Sequence, residues 1–299
     1  MLIAKIRQTN NLPYFSLKGG KIMKYFVTSD IHSFFFVAKK ALDEAGFDPN
    51  NEDHTLVVCG DIFDRGYEMK ETYEYVKSLP RKILIRGNHE SLLEEMVKRG
   101  YPLDHDVYNG TARTICDLNN IDFYDYYLGL TDEAKDFPVK TEKTAELTEW
   151  IDENFVDYAE FAKYIAVHAW IPTRQRISRA NKFYCETVPD PKWRDAGEKE
   201  WEEARWENPY YCASQIGGVP RGKKIIAGHW HSSYAWHETL GTPEFGENAI
   251  FDAWEGRNLI MIDACTAESW KCNVFVFEDD QPVKLGFTKN QRKNASKNV

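Results

Sequence analysis

The sequence predicts an α/β fold built around a parallel, buried sheet, and three observations carry that reading. From Tyr25 onward, strand-sized apolar runs alternate with helix-sized amphipathic stretches. The apolar runs are continuous rather than alternating, as expected of strands covered on both faces. Short polar clusters follow five of these runs, at the edge where the carboxyl ends of parallel strands gather and open α/β sheets bind ligands.

In chain order, residues 25–28 form the first apolar run and 34–45 a helical stretch; the pattern repeats at 55–59 and 69–78, then at 82–85 and 91–99. This is a βαβαβα series, and right-handed crossovers place every strand's C-terminal end on one edge. Between about 131 and 220, charged and aromatic residues dominate and only 164–167 reads as a buried strand. Residues 193–206 read as a helical cap, with aromatic side chains that either face a cleft or pack beneath a surface helix. Three more strands are expected at 224–227, 259–262 and 273–277. The expected organisation is an N-terminal extension over 1–23, with Met23 a candidate start. A single domain over 24–287 follows, carrying a charged and aromatic insertion or cap around 131–220, and 288–299 form a flexible basic tail.

Composition narrows the function classes. With 38 Lys plus Arg against 47 Asp plus Glu, the formal net charge is −9, which weighs against coating nucleic acid or anionic membrane. No run of 18 apolar residues and no signal-like leader is present, so a cytoplasmic protein without membrane or stable nucleic-acid partner is expected. Six cysteines without a CxxC pair read as free thiols in a reducing compartment. Charge and length leave the oligomeric state open.

The polar clusters are Asp30-Ile31-His32, Gly60-Asp61-Ile62-Phe63-Asp64-Arg65-Gly66, Gly87-Asn88-His89-Glu90, His168, and Gly228-His229-Trp230-His231. Each alone is an ordinary turn. Brought to one sheet edge, they offer seven nitrogen and oxygen ligands: Asp30, His32, Asp61, Asn88, His168, His229 and His231. Imidazole, carboxylate and amide donors suit Mn²⁺, Fe or Zn²⁺, and the lack of a thiolate pair argues against a structural zinc. One carboxylate can bridge two ions, and Asp61, central in the series, is the expected bridge.

The order DxH, GDxxDRG, GNHE, H, GHxH resembles the metallophosphoesterase (calcineurin-like) superfamily over about residues 24–280. The Arg65-bearing motif together with GNHE resembles its phosphoprotein-phosphatase branch, which includes small bacterial and phage Ser/Thr phosphatases and the related symmetrical diadenosine tetraphosphate hydrolases. The resemblance implies a layered α/β/β/α sandwich with a dimetal site at the C-terminal ends of the strands. It also implies two divalent ions, Mn²⁺ foremost and Fe, Zn²⁺ or Ni²⁺ as alternatives. Asp30 and His32 would hold the first ion, Asp61 both, and Asn88, His168 and His229 the second. His231 departs from the branch, which typically lacks a second histidine there, whereas the wider superfamily uses one as a further ligand of the first metal.

Two ions about 3.5–4 Å apart can clamp phosphate oxygens and make a bridging hydroxide available near neutral pH. An alkoxide leaving group also needs a proton, which His89 is placed to supply while Asp64 holds its other ring nitrogen. Arg65 offers a planar guanidinium to phosphoryl oxygens. A second phosphate-binding arginine is sought in Arg205 and then Arg113, and Asp263 is a candidate to orient a ligating histidine. The expected activity is that of a Ser/Thr protein phosphatase-like phosphomonoesterase acting on a phosphorylated protein or a small phosphoester or nucleotide. The alternatives are a dinucleoside polyphosphate pyrophosphohydrolase or phosphodiesterase, favoured by His231 and the aromatic 193–236 region, and a noncatalytic scaffold of the same fold. The scaffold is disfavoured because no ligand or acid is missing.

Overall fold

The computed structural model describes residues 21–128, 137–178 and 185–286. Its first half follows the expected alternation: β1 (Met23–Thr28), α1 (Phe35–Glu44), β2 (His54–Cys59), α2 (Met69–Ser78), β3 (Lys82–Ile85) and α3 (Asn88–Arg99). The start of α3 lies three residues before the apolar period at 91–99, which puts Asn88 and His89 in its first turn. Four helices that the apolar pattern did not reveal come next: α4 (Asp104–Asn109), α5 (Thr111–Leu118), α6 (Phe123–Leu128) and α7 (Glu142–Asn154). Short strands β4 (Phe155–Val156), β5 (Tyr158–Glu160) and β6 (Tyr164–Ala166) then precede a hairpin of β7 (Thr173–Ile177) and β8 (Cys185–Pro189). The rest comprises α8 (Glu198–Ala204), α9 (Pro209–Tyr211), β9 (Lys224–Ala227), α10 (Ser232–Leu240), β10 (Trp254–Glu255), β11 (Leu259–Met261), α11 (Thr266–Ser269), β12 (Phe275–Asp279) and β13 (Lys284–Gly286).

The strands form two stacked sheets where the sequence pattern alone suggested one. The first runs β12-β1-β2-β3-β4, with β1 to β4 parallel and β12 antiparallel at the edge. The second runs β10-β11-β9-β6-β5-β13, with β11, β9 and β6 parallel. Asp157 alone separates β4 from β5, so the chain steps from one sheet to the other within a single residue. Three of the motif-bearing strand ends therefore belong to the first sheet, and those of β6 and β9 to the second.

Side-chain alternation explains the layering. Tyr25, Val27, Val57, Cys59, Ile83 and Ile85 point inward and meet Ala166, Ile226 and Ile260 of the facing sheet. Their neighbours Phe26, Leu56, Val58 and Leu84 point outward onto Leu42, Val76, Leu93, Ile115 and Ile151 of the helices. Ile165, Val167, Ile225, Leu259 and Met261 cover the other outer face with Trp193 and Trp201. Both faces of the central strands β1, β2, β3, β6, β9 and β11 are thus buried, which is why they read as continuous apolar runs, and the layers form the α/β/β/α sandwich. Burying one such Leu, Ile or Phe stabilises the fold by about 1.5–3 kcal/mol.

Within 131–220, the described residues supply β4, β5 and β6 to the two sheets as well as the β7–β8 hairpin and α8 outside them. Trp193 and Trp201 pack on Tyr158, with ring centroids 4.8 and 5.5 Å away, so these aromatics sit beneath the helix rather than facing a cleft. Met23, assigned to the extension from sequence, is buried in β1 opposite Asp279. Residues 1–20 of the expected extension, 131–136 and 179–184 of the insertion, and the whole expected tail over 288–299 lie outside the described residues. Among the described residues, no helix is long and apolar enough to cross a membrane.

One ion-pair cluster sets an expected acid response. Glu160 on β5 is buried and accepts from Arg194 at 2.7 and 2.8 Å, with Lys223 Nζ 3.0 Å away. Burial alone would raise its pKa, but the two cations pull it from 4.5 down to about 2. Its contribution is therefore full above pH 4.5 and is lost as pH falls toward about 2. Thermal melts between pH 5 and 2 should show Glu160→Gln declining less steeply than the parent chain; parallel curves would contradict this.

Candidate active site

The loops at the strand ends are built from backbone conformations that side chains rarely adopt. Asp30, His32 and Ser33 after β1, Asp61, Asp64 and Arg65 after β2, and His229 after β9 all have positive φ, between 49° and 75°. Left-handed non-glycine residues each cost roughly 1–3 kcal/mol and cluster where geometry serves function. Gly60 permits a close approach: a Cβ there would lie 2.5 Å from His168 Nδ1 and 2.6 Å from Gly87 Cα, joining three of the loops.

Backbone carbonyls fix the histidines. The Cys59 carbonyl, which only accepts, takes a hydrogen bond from the His168 Nδ1–H at 2.7 Å, and the Phe63 carbonyl takes one from the His32 Nδ1–H at 2.9 Å. The Nε2 lone pairs of both rings therefore face inward. His168 Nε2 lies 2.8 Å from Asn88 Oδ1 and 3.2 Å from His229 Nδ1, and His229 Nδ1 is 3.0 Å from the same Asn88 oxygen. An imidazole lone pair and an amide oxygen this close, with no proton between them, are suited to a shared cation. Burial keeps His168 below its ordinary pKa, and burial with His168 nearby takes His229 down to about 3, so both rings are neutral donors.

Asp61 stands between two groups. Its Oδ1 lies 3.5 Å from His168 Nε2, and its Oδ2 lies 3.8 Å from both His32 Nε2 and His89 Nε2. Two sets of side chains could each hold an ion: Asp61 with His168 and His229, and Asp61 with His32 and His89. Burial would raise the Asp61 pKa, but His168, His89, His32 and His229 together hold it below the usual carboxylate range. Asp30 Oδ1 is 3.9 Å from His32 Nε2, while its Oδ2 accepts the His229 N–H at 3.0 Å. Burial, with Asp263 and Asp61 close by, pushes the Asp30 carboxyl upward, a tension that a bound cation would relieve.

His89 and Asp64 pair as expected, with Nδ1 donating to Oδ2 at 2.7 Å. The sequence reading missed the support behind them. Thr111 donates to Asp64 Oδ2 at 2.7 Å and Thr114 to Oδ1 at 2.6 Å, both from α5. Burial works against protonating His89, but Asp61 and Asp64 outweigh it and hold the ring above its ordinary pKa. The exposed Arg65 lies with Nη2 3.3 Å from His89 Nε2.

Three expected contributors, His231, Arg205 and Arg113, are not brought to this centre, whereas Asp263 lies close to Asp30. His231 Nε2 pairs with Glu244 Oε1 at 2.7 Å, and the Phe245 ring packs 4.7 Å away, so the ring is directed at the loop after α10. Arg205 is buried in ion pairs with Asp157 at 2.7 Å and Glu202 at 2.6 Å. Arg113 lies over Tyr67, Phe123 and Tyr124 at 4.6–5.3 Å. Asp263 Oδ1 accepts the Cys265 N–H at 2.7 Å. Glu90, written in the GNHE motif but given no role, accepts the N–H groups of Asp61, Ile62 and Gly87 at 3.0, 2.9 and 2.8 Å. Burial and Asp61 push its pKa up to about 7.

Imidazole, carboxylate and amide donors gathered at the strand ends of an α/β/β/α sandwich define a metallophosphoesterase class of protein. The calcineurin-like phosphoesterase family model matches residues 23–233, and the chain belongs to that family, which binds divalent metals and acts on phosphoesters. No curated protein matches the chain in sequence. Similar solved structures include a candidate diadenosine tetraphosphatase, at 15% identity and TM-score 0.45 over 89% of this chain and 94% of that one. A metallophosphoesterase from Sphaerobacter thermophilus matches at 14% identity and TM-score 0.41, over 92% and 95% of the two chains. A cold-active protein-tyrosine phosphatase of a psychrophilic Shewanella species matches at 12% identity and TM-score 0.42, over 89% and 81%.

Proposed function

We propose that the protein is a dimetal phosphomonoesterase acting on phosphoserine or phosphothreonine. The observation that carries this reading is Asp61, whose two oxygens face separate donor groups beside the His89–Asp64 pair. Asp61, His32 and Asp30 would hold one ion, and Asp61, Asn88, His168 and His229 the other. Divalent ions there would supply positive charge against phosphoryl oxygens and an acidified water. Arg65 binds and orients the phosphoryl group. His89 holds a proton at Nε2 for the departing oxygen, and Asp64 keeps its Nδ1 protonated. Purified protein with confirmed Mn²⁺ occupancy should turn over p-nitrophenyl phosphate and a phosphoserine peptide; turnover of neither ends this reading.

A nucleotide-cleaving alternative rests on Trp206, which is half exposed and edge-on to His229, with ring centroids 5.9 Å apart. Stacking a base on such a ring contributes about 1–3 kcal/mol. If diadenosine tetraphosphate is the better substrate, Trp206→Ala should lower its kcat/KM about tenfold relative to that for p-nitrophenyl phosphate. An unchanged ratio would remove Trp206 from substrate binding.

A further inference from the structure

We infer that Glu90 is the positioning residue that sets the spacing of the two ion sites, by clamping the loop that carries Asp61 to the helix start that carries Asn88. This rests on the dimetal reading above.

Three observations lead to it. The Glu90 side chain is 1% exposed, and no lysine or arginine pairs with it among the described residues. A buried carboxylate without a counter-ion is costly unless hydrogen bonds replace its hydration. Here the bonds go only to backbone: Oε2 accepts from Asp61 and Gly87, and Oε1 accepts from Ile62. One side chain thus ties the loop after β2 to the loop after β3, the two places from which Asp61 and Asn88 project.

The clamped backbone is also where small movements matter. Asp61 is held at φ 53°, a conformation the chain would leave if released. Its Oδ1 accepts the His89 N–H at 3.0 Å, so a shift of Asp61 also disturbs the turn bearing Asn88 and His89. Glu90 contacts the backbone of one ligand-bearing loop and the cap of the other, and acts through them. Groups behind metal ligands typically change metal affinity by about 10–100-fold when removed.

Glu90→Gln keeps the shape but has one acceptor oxygen; with that oxygen placed to retain the Asp61 and Gly87 bonds, its NH₂ faces the Ile62 N–H. Glu90→Asp keeps the charge and falls a methylene short. Calorimetric titration with Mn²⁺ and electron paramagnetic resonance of the loaded protein should show weaker binding in both variants, by roughly 10–100-fold. At two equivalents, signal from an exchange-coupled ion pair should give way to that of isolated Mn²⁺. A folded Glu90→Gln with parental Mn²⁺ affinity and the coupled signal would overturn the inference. If Glu90→Gln does not fold, Glu90→Asp decides by the same two measurements; if neither variant folds, Glu90 serves folding alone and the inference is overturned. A parent chain that binds no Mn²⁺ defeats the dimetal reading itself, before any variant is compared.

Discussion

Asp61→Asn is expected to lower phosphomonoester turnover by roughly 10³-fold or more and to reduce Mn²⁺ capacity from two ions to one. The carboxylate can serve two ions because Oδ1 faces His168 at 3.5 Å while Oδ2 faces His32 at 3.8 Å. An asparagine of the same shape has one acceptor oxygen and one NH₂ group, which repels a cation. One ion site therefore loses its shared ligand, and both lose its negative charge. Burial makes the defect hard to repair, because Asp61 is 2% exposed and water has little room to take the missing place. The variant should fold, since its Oδ1 bond to the His89 N–H can be kept by the amide oxygen. Calorimetry with Mn²⁺ and steady-state rates on p-nitrophenyl phosphate check both parts. Two bound ions with turnover within tenfold of the parent chain would show that Asp61 is not the bridge.

The residues that form this centre were legible because each motif is short and follows a strand. A polar cluster after an apolar run marks a strand end, and strand ends gather on one edge in any such fold. That logic located Asp30, His32, Asp61, Asn88, His168 and His229 without specifying how many sheets supplied them. The division into two sheets depends on Asp157, where β4 becomes β5 in one step, and nothing in the local pattern marks that crossing.

Orientation was less legible than position. His231 lies in a motif two residues after His229, yet its ring is captured by Glu244, thirteen residues further on. Arg205 looked available for phosphate because its partner Asp157 is 48 residues away in sequence. Thr111 and Thr114 escaped notice for the same reason, since their target Asp64 lies on another loop. Glu90 was visible in its motif, but its acceptor role depends on a backbone path that only the fold reveals. Local spacing therefore identifies which residues approach an edge, while nonlocal polar partners decide where their side chains turn.

The second large effect concerns the leaving group. His89→Ala is expected to reduce turnover of a phosphoserine peptide by about 10²–10⁴-fold, the usual span for a positioned acid, and to affect p-nitrophenyl phosphate much less. The difference follows from the chemistry of departure: a serine alkoxide is a strong base that needs a proton as the P–O bond breaks, whereas p-nitrophenolate leaves readily as an anion. Asp64 should matter through His89, because it accepts the Nδ1 proton at 2.7 Å and thereby leaves Nε2 to face the site. Asp64→Asn should show the same substrate dependence with a smaller loss, and Thr114→Val, which removes a 2.6 Å bond to Asp64, a smaller one still. An acid must be protonated to act, so the parent chain should also lose peptide turnover on the alkaline side as His89 deprotonates. That limb should be absent in His89→Ala. Mn²⁺ affinity measured alongside separates the two roles open to this ring, because His89 Nε2 also stands 3.8 Å from Asp61 Oδ2. Weakened Mn²⁺ binding with equal losses on both substrates would make His89 a metal ligand rather than the proton donor.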